Sequence, residues 1–77
     1  MSVEILATLG ATIRSHREAS GVSQENFARL IGMDRAYFGR IERGAQNISI
    51  LTAAKIAASL GTSLSDLFKD VPLGAKR

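Results

Sequence analysis

Three arginines stand at positions 35, 40 and 43 of the stretch MDRAYFGRIERG, residues 33–44. A guanidinium is a planar fork of N–H donors. It suits a carboxylate, a phosphate, or the O6 and N7 acceptors of a guanine edge. The same stretch carries an apolar spine in Phe38 and Ile41, with Tyr37 beside Phe38 and a glycine at 39. Catalysis has less to work with. His16 is the one histidine, cysteine is absent, and no carboxylate cluster surrounds His16. Arg17 and Glu18 beside it do not complete a metal-ligand set, and HExxH, CxxC and glycine-rich phosphate loops do not occur. The expectation is a protein that is not an enzyme and uses no metal or cofactor.

These side chains need a scaffold to hold them. With 77 residues, one domain over 1–77 is expected, with a core of about 4–69 and a loose tail at 70–77. Proline occurs once, at 72, and apolar residues recur at three- and four-residue intervals, so the fold class is all-α. Net charge is +3, which permits a polyanionic partner without requiring one, and two of the positive charges are the last two residues. Placement must therefore carry the argument. MSVEILATLG has no basic leader, and no run approaches the length of a membrane span. The expectation is a cytoplasmic protein with no membrane partner.

Five helices follow from the pattern. The first covers about 3–19, with Leu6, Leu9 and Ile13 inward and Gly10 as a point of weakness where it could fray or bend. Ser23 caps a second helix over 24–31, with Phe27, Ala28 and Ile31 inward. Gly32 turns the chain, and Asp34 caps a third helix over 35–43, closed by Gly44. Ser49 caps a fourth over 50–60, with Leu51, Ala54, Ile56 or Ala57, and Leu60 inward. Ser63, with Asp66 three residues on, opens a short fifth helix bearing Leu64, Leu67 and Phe68. No internal repeat, linker or second domain is read.

Helices two and three are separated by a tight corner. Ala28 is small where they must cross, and Phe27, Ile31, Met33, Phe38 and Ile41 close a core beneath. This spacing predicts a helix-turn-helix whose second helix can enter a major groove. With Phe38 and Ile41 inward, the opposite face carries Arg35, Ala36, Gly39 and Arg40, with Tyr37 at one edge. Arg35 and Arg40 suit guanine, Ala36 a thymine methyl, and Gly39 a close approach of backbone to DNA. Tyr37 could read a base or reach a phosphate. Ser23 and Gln24 open helix two, where free amides favour a phosphate. Arg43, Gln46 and Asn47, just past the recognition helix, are expected backbone contacts. Glu42 would oppose DNA unless paired. Arg17 lies near the inner stripe of the first helix, and a fork between the two would orient the third helix.

SQENFARLIGMDRAYFGRIERG, followed by NIS and AAKIAASLGTSLSDLF, resembles the lambda-repressor-like or Xre-type helix-turn-helix family over about residues 10–69. MDRAYFGRIERGAQNISI and the short chain also resemble the controller proteins of restriction–modification systems. The resemblance implies a compact five-helix fold and a transcriptional regulator that binds palindromic double-stranded DNA operators as a homodimer. It carries Gln24, Arg43 and Asn47 to the phosphate side, puts Arg35, Ala36, Tyr37 and Arg40 on groove-reading positions, and supports the Arg17–Glu42 pair. Ala36 stands where controller proteins often have threonine, Gln46 where a basic residue is common, and Gly39–Arg40 where a serine–glycine pair is common. Leu64, Leu67 and Phe68 are many apolar groups for a terminal turn, which predicts a two-fold contact there. RNA polymerase is a further partner that an acidic residue such as Glu25 could serve. The alternative from another class is a protein-interaction or antitoxin-like module on the same scaffold.

Overall fold

The computed structural model describes residues 2–72, with side chains from residue 4 onward. It contains α1 (Ser2–Ala19), α2 (Gln24–Leu30), α3 (Arg35–Glu42), α4 (Ile50–Ser59) and α5 (Leu64–Leu67), with no strand among the described residues. The expected all-α, five-helix architecture is therefore the observed one. Helices α2, α3 and α4 end one residue earlier than the pattern suggested, because Ile31, Arg43 and Leu60 serve as C-caps. None of the helices is long and apolar enough to cross a membrane among the described residues.

One corner is built three times. Gly21, Gly32 and Gly61 take the left-handed φ values of 75°, 68° and 72° that end a helix and reverse its direction. The next residue donates its N–H back across the turn: Val22 to Arg17 O at 3.4 Å, Met33 to Ala28 O at 2.8 Å, and Thr62 to Ala57 O at 3.0 Å. The residue after that is the N-cap of the following helix. Ser23, Asp34 and Ser63 accept from the amides of Asn26, Tyr37 and Asp66 at 3.0, 3.1 and 2.9 Å. Four positions past each cap comes an anchor, Phe27, Phe38 or Leu67, which is buried. The chain thus holds a short local repeat, Gly-x-Ser/Asp-x-x-x-Phe/Leu, which is shorter than any two helices and the turn between them.

Phe27 and Phe38 meet at the centre with ring centroids 5.2 Å apart, and the core around them includes Leu9, Ile13, Ile31, Ile41, Ile56 and Leu67. Two expectations are corrected. Leu51 is not inward: it is 78% exposed, and Ala53, Ile56 and Ala57 form the buried face of α4 instead. Residues 53, 56, 57 and 60 share a helical face, and that choice turns position 51 to solvent. The tail also starts later than expected, since Val71 is buried in the core. Residues 73–77 of the expected tail lie outside the described residues.

Gly10 is neither a fray nor a break, for α1 runs through it. It is buried where α1 crosses the last turn of α3, and a Cβ there would strike the carbonyl oxygens of Ile41 and Glu42, the latter at 2.6 Å. Two backbone carbonyls cannot swing aside as a flexible side chain would. Alanine at position 10 would gain about 1 kcal/mol of helix propensity. Overpacking commonly costs about 1–3 kcal/mol, and the rigid neighbours put this site at the costly end. Gly10→Ala is therefore expected to lower the urea midpoint of unfolding. A higher midpoint would mean that the two helices separate without loss.

Candidate nucleic-acid interface

The orientation of α3 is set from below. Arg17, near the end of α1, faces Glu42, the last residue of α3, in a two-point fork. Arg17 Nε lies 2.7 Å from Glu42 Oε2, and Nη2 lies 3.1 Å from Oε1. Nη1 of the same guanidinium donates to the Val22 carbonyl at 2.8 Å, inside the first corner. Gln24 Nε2 adds a fourth bond, donating to Glu42 Oε1 at 2.9 Å. The Arg17 and Glu42 side chains are 8% and 2% exposed. The predicted pair is thus present, buried, and supported by two further bonds. The hydrogen bond to Glu42 raises the Arg17 pKa above its ordinary value, against the opposing effect of burial. A raised cation pKa adds stability that is present below the ordinary arginine range and is lost only as pH climbs beyond it. Arg17 therefore stays charged and paired throughout the neutral range.

With Glu42 drawn inward, its neighbour one turn back goes with it. Gly39 is buried, and a Cβ there would meet the Arg43 Nη1 at 3.3 Å and the Gln24 Oε1 at 3.4 Å. Its expected place on the outward, base-reading face is corrected: it is a packing position beneath two side chains. The residues left outward are Arg35 and Ala36 on the first turn, both exposed, and half-buried Arg40 and Tyr37. The Arg40 guanidinium carbon lies 5.6 Å from the Tyr37 ring centroid.

The flanking residues separate into two kinds. Arg43 and Asn47 are exposed near the exit of α3, and Ser23 is exposed at the start of α2 with its Oγ used as a cap. Gln24 is half-buried and committed to Glu42, so its side chain supports α3 from the edge of this surface. Gln46 is half-buried, and its Oε1 accepts from Arg40 Nε at 3.1 Å while its Nε2 donates to the Asn47 carbonyl at 3.3 Å. This link was not foreseen. The partners are six residues apart across a chain reversal, and helical periodicity gives no signal for such a pair.

Elsewhere, His16 is half-buried in a polar cleft with Thr12, Ser15, Asp66, Lys69 and Asp70. Among the described residues no group of three or more His, Cys, Asp or Glu side chains is placed to hold a metal. Leu64 and Phe68 are half-buried, but Leu67 is completely buried within the chain, which removes it from the expected dimer surface. As the anchor of the third corner, it belongs to the core. Among the described residues, the large apolar ones left open are Leu30, Ile50 and Leu51.

Residues 13–67, which hold the α2–α3 corner, match the family model described as Helix-turn-helix. The chain belongs to the helix-turn-helix family. Its likeness to controllers is also close. The control protein C.MunI of Mycoplasma sp. is 46% identical over 55 residues, which is 71% of this chain and 74% of that protein. The crystal structure of the restriction-modification controller protein C.AhdI from Aeromonas hydrophila gives a TM-score of 0.78 at 41% identity, covering 82% of this chain and 96% of that one. The controller C.Esp1396I, solved as a tetramer in complex with its natural 35 base-pair operator, gives 0.76 at 28% identity, covering 87% of this chain and 88% of that one. α3 is the second helix of the α2–α3 corner, the place the recognition helix takes in helix-turn-helix proteins.

Breaking a buried ion pair by removing one partner costs about 3–5 kcal/mol. A domain of this length holds only about 4–11 kcal/mol in all. Glu42→Ala is therefore expected to leave the protein barely folded in a urea titration. Arg17→Met combined with Glu42→Leu, which leaves no orphaned charge, is expected to regain most of the loss.

Proposed function

We propose that the chain is a sequence-specific regulator of transcription that binds a palindromic double-stranded DNA operator as a homodimer, with α3 in the major groove. The observation that carries this reading is the pairing of an outward arginine face on α3 with a buried fork that fixes the rotation of that helix. Arg35 reads guanine, Ala36 meets a thymine methyl, and Tyr37 and Arg40 complete the reading face. Arg43 and Asn47 contact the phosphates beside them, with Ser23 and Gln24 at the start of α2 on the same side. The likeness to restriction–modification controllers supports a narrower reading, that the protein regulates its own operon together with a restriction gene.

One α3 reaches only a few base pairs, and two-fold symmetry doubles the contact if half-sites lie about 34 Å apart. The proposed dimer surface combines Leu64 and Phe68 with Ile50 and Leu51. Phe68 and Ile50 line one apolar groove of about 270 Å³ with Ile5, Leu6 and Ile48, and Leu51, next to Ile50 in sequence, is exposed. Contact with RNA polymerase through exposed Glu25 on α2, which pairs with Arg29 at 3.3 Å, belongs to the same proposal.

Selection from a randomised duplex library at about 0.15 M salt, near physiological screening, tests the reading. One palindrome is expected to be enriched. Arg35→Ala is expected to fold and dimerise while losing preference at one guanine per half-site, a loss of about 1–3 kcal/mol each. Equal, weak recovery of all duplexes by folded protein would overturn the reading and move a protein-interaction role to first place. Leu51→Lys is expected to behave in the opposite way, sedimenting as a monomer and binding the selected palindrome weakly while keeping the same base preference. A Leu51→Lys protein that remained dimeric would exclude the proposed surface.

A further inference from the structure

The Gln46 amide has both of its heavy atoms engaged within the chain, Oε1 with Arg40 Nε at 3.1 Å and Nε2 with the Asn47 carbonyl at 3.3 Å. These two bonds hold the side chain in place and leave one N–H of its amide over. Its effect on Arg40 is specific. A guanidinium can meet the O6 and N7 of guanine by its end, through Nη1 and Nη2, or by its side, through Nε and one Nη. Gln46 occupies Nε, so only the end is offered. The guanidinium carbon also lies over the Tyr37 ring, 5.6 Å from its centroid. Among the described residues Arg40 makes no hydrogen bond through its terminal nitrogens, which therefore remain available to a base edge.

We propose that Gln46 is a positioning residue for base reading. It holds Arg40, backed by Tyr37, so that the end of the guanidinium fork meets guanine, and it sets specificity without touching a base. This rests on the proposed reading of operator DNA. Holding a long side chain in its bound conformation before binding removes an ordering cost of about 0.5–1.5 kcal/mol, a factor of roughly 2 to 13.

The test is a double-variant cycle on the full chain. The palindrome selected by the wild type is the probe, compared with single-base variants at every position, and circular dichroism checks that each variant is folded. Arg40→Ala is expected to erase the preference for one guanine per half-site, a drop of about 5- to 150-fold. Gln46→Ala is expected to lower the same preference by roughly 2- to 13-fold and to leave other positions unchanged. In an Arg40→Ala background Gln46→Ala should add nothing. Gln46→Glu, which keeps an acceptor facing Nε, should retain the preference. The proposal is overturned if Gln46→Ala weakens all duplexes equally, as loss of a phosphate contact would, or if its effect persists without Arg40 or is absent. A wild type that selects no sequence would overturn the operator reading itself, a result distinct from a selective wild type indifferent to Gln46.

Discussion

Arg17 and Glu42 stand 25 residues apart on α1 and α3, and their fork joins more of the structure than either helix alone could. One guanidinium reaches the carboxylate at the end of α3 and the Val22 carbonyl in the first corner, while Gln24 reaches the same carboxylate from the start of α2. Four segments thus share one polar node. Such a node adds little net stability, because two charges must leave water to form it. Its value is directional. A greasy contact would tolerate some rotation of α3, whereas a two-point fork does not. Rotation decides which residues of α3 face outward.

The packing above the node serves the same end. α1 approaches the last turn of α3 so closely that Gly10 touches backbone carbonyls, and Gly44, just beyond α3, leaves no room for a Cβ against Ala7. Backbone against backbone is the least adjustable contact a core can make. α3 is therefore held at its C-terminal end by contacts with almost no play, and its first turn, with Arg35 and Ala36, projects away from them. The outward first turn is thus carried on a helix whose other end is closely packed.

Much of this was legible in the sequence because it is local. Glycine, then Ser or Asp two residues on, encodes a corner within a handful of positions, and the inward Phe38 and Ile41 follow from helical spacing. The Arg17–Glu42 pair was legible for another reason: a carboxylate beside residues expected to meet phosphates needs a cation. What failed depended on partners distant in the chain. In ILTAAKIAASL two apolar phases overlap, and only the packed core decides that Ala53 rather than Leu51 turns in. Gly10 reads as a helix defect until the crossing helix is known. Gly39 reads as outward until Glu42 is seen to pull its side of α3 inward. Leu67 was open to a correct reading, since it occupies the same place in its corner as Phe27 and Phe38 do in theirs.

The thrice-used corner also bears on how the chain reaches its fold. Every bond that defines it lies within six residues in sequence, and its anchor falls four residues beyond the cap. Little loop entropy must be lost before these contacts form, and chains dominated by short-range contacts fold in microseconds to milliseconds. The backbone bonds and caps of each corner need no contact from a distant segment. The same glycine-and-cap device that shapes the finished molecule thereby limits the time its apolar segments spend exposed in a crowded cell.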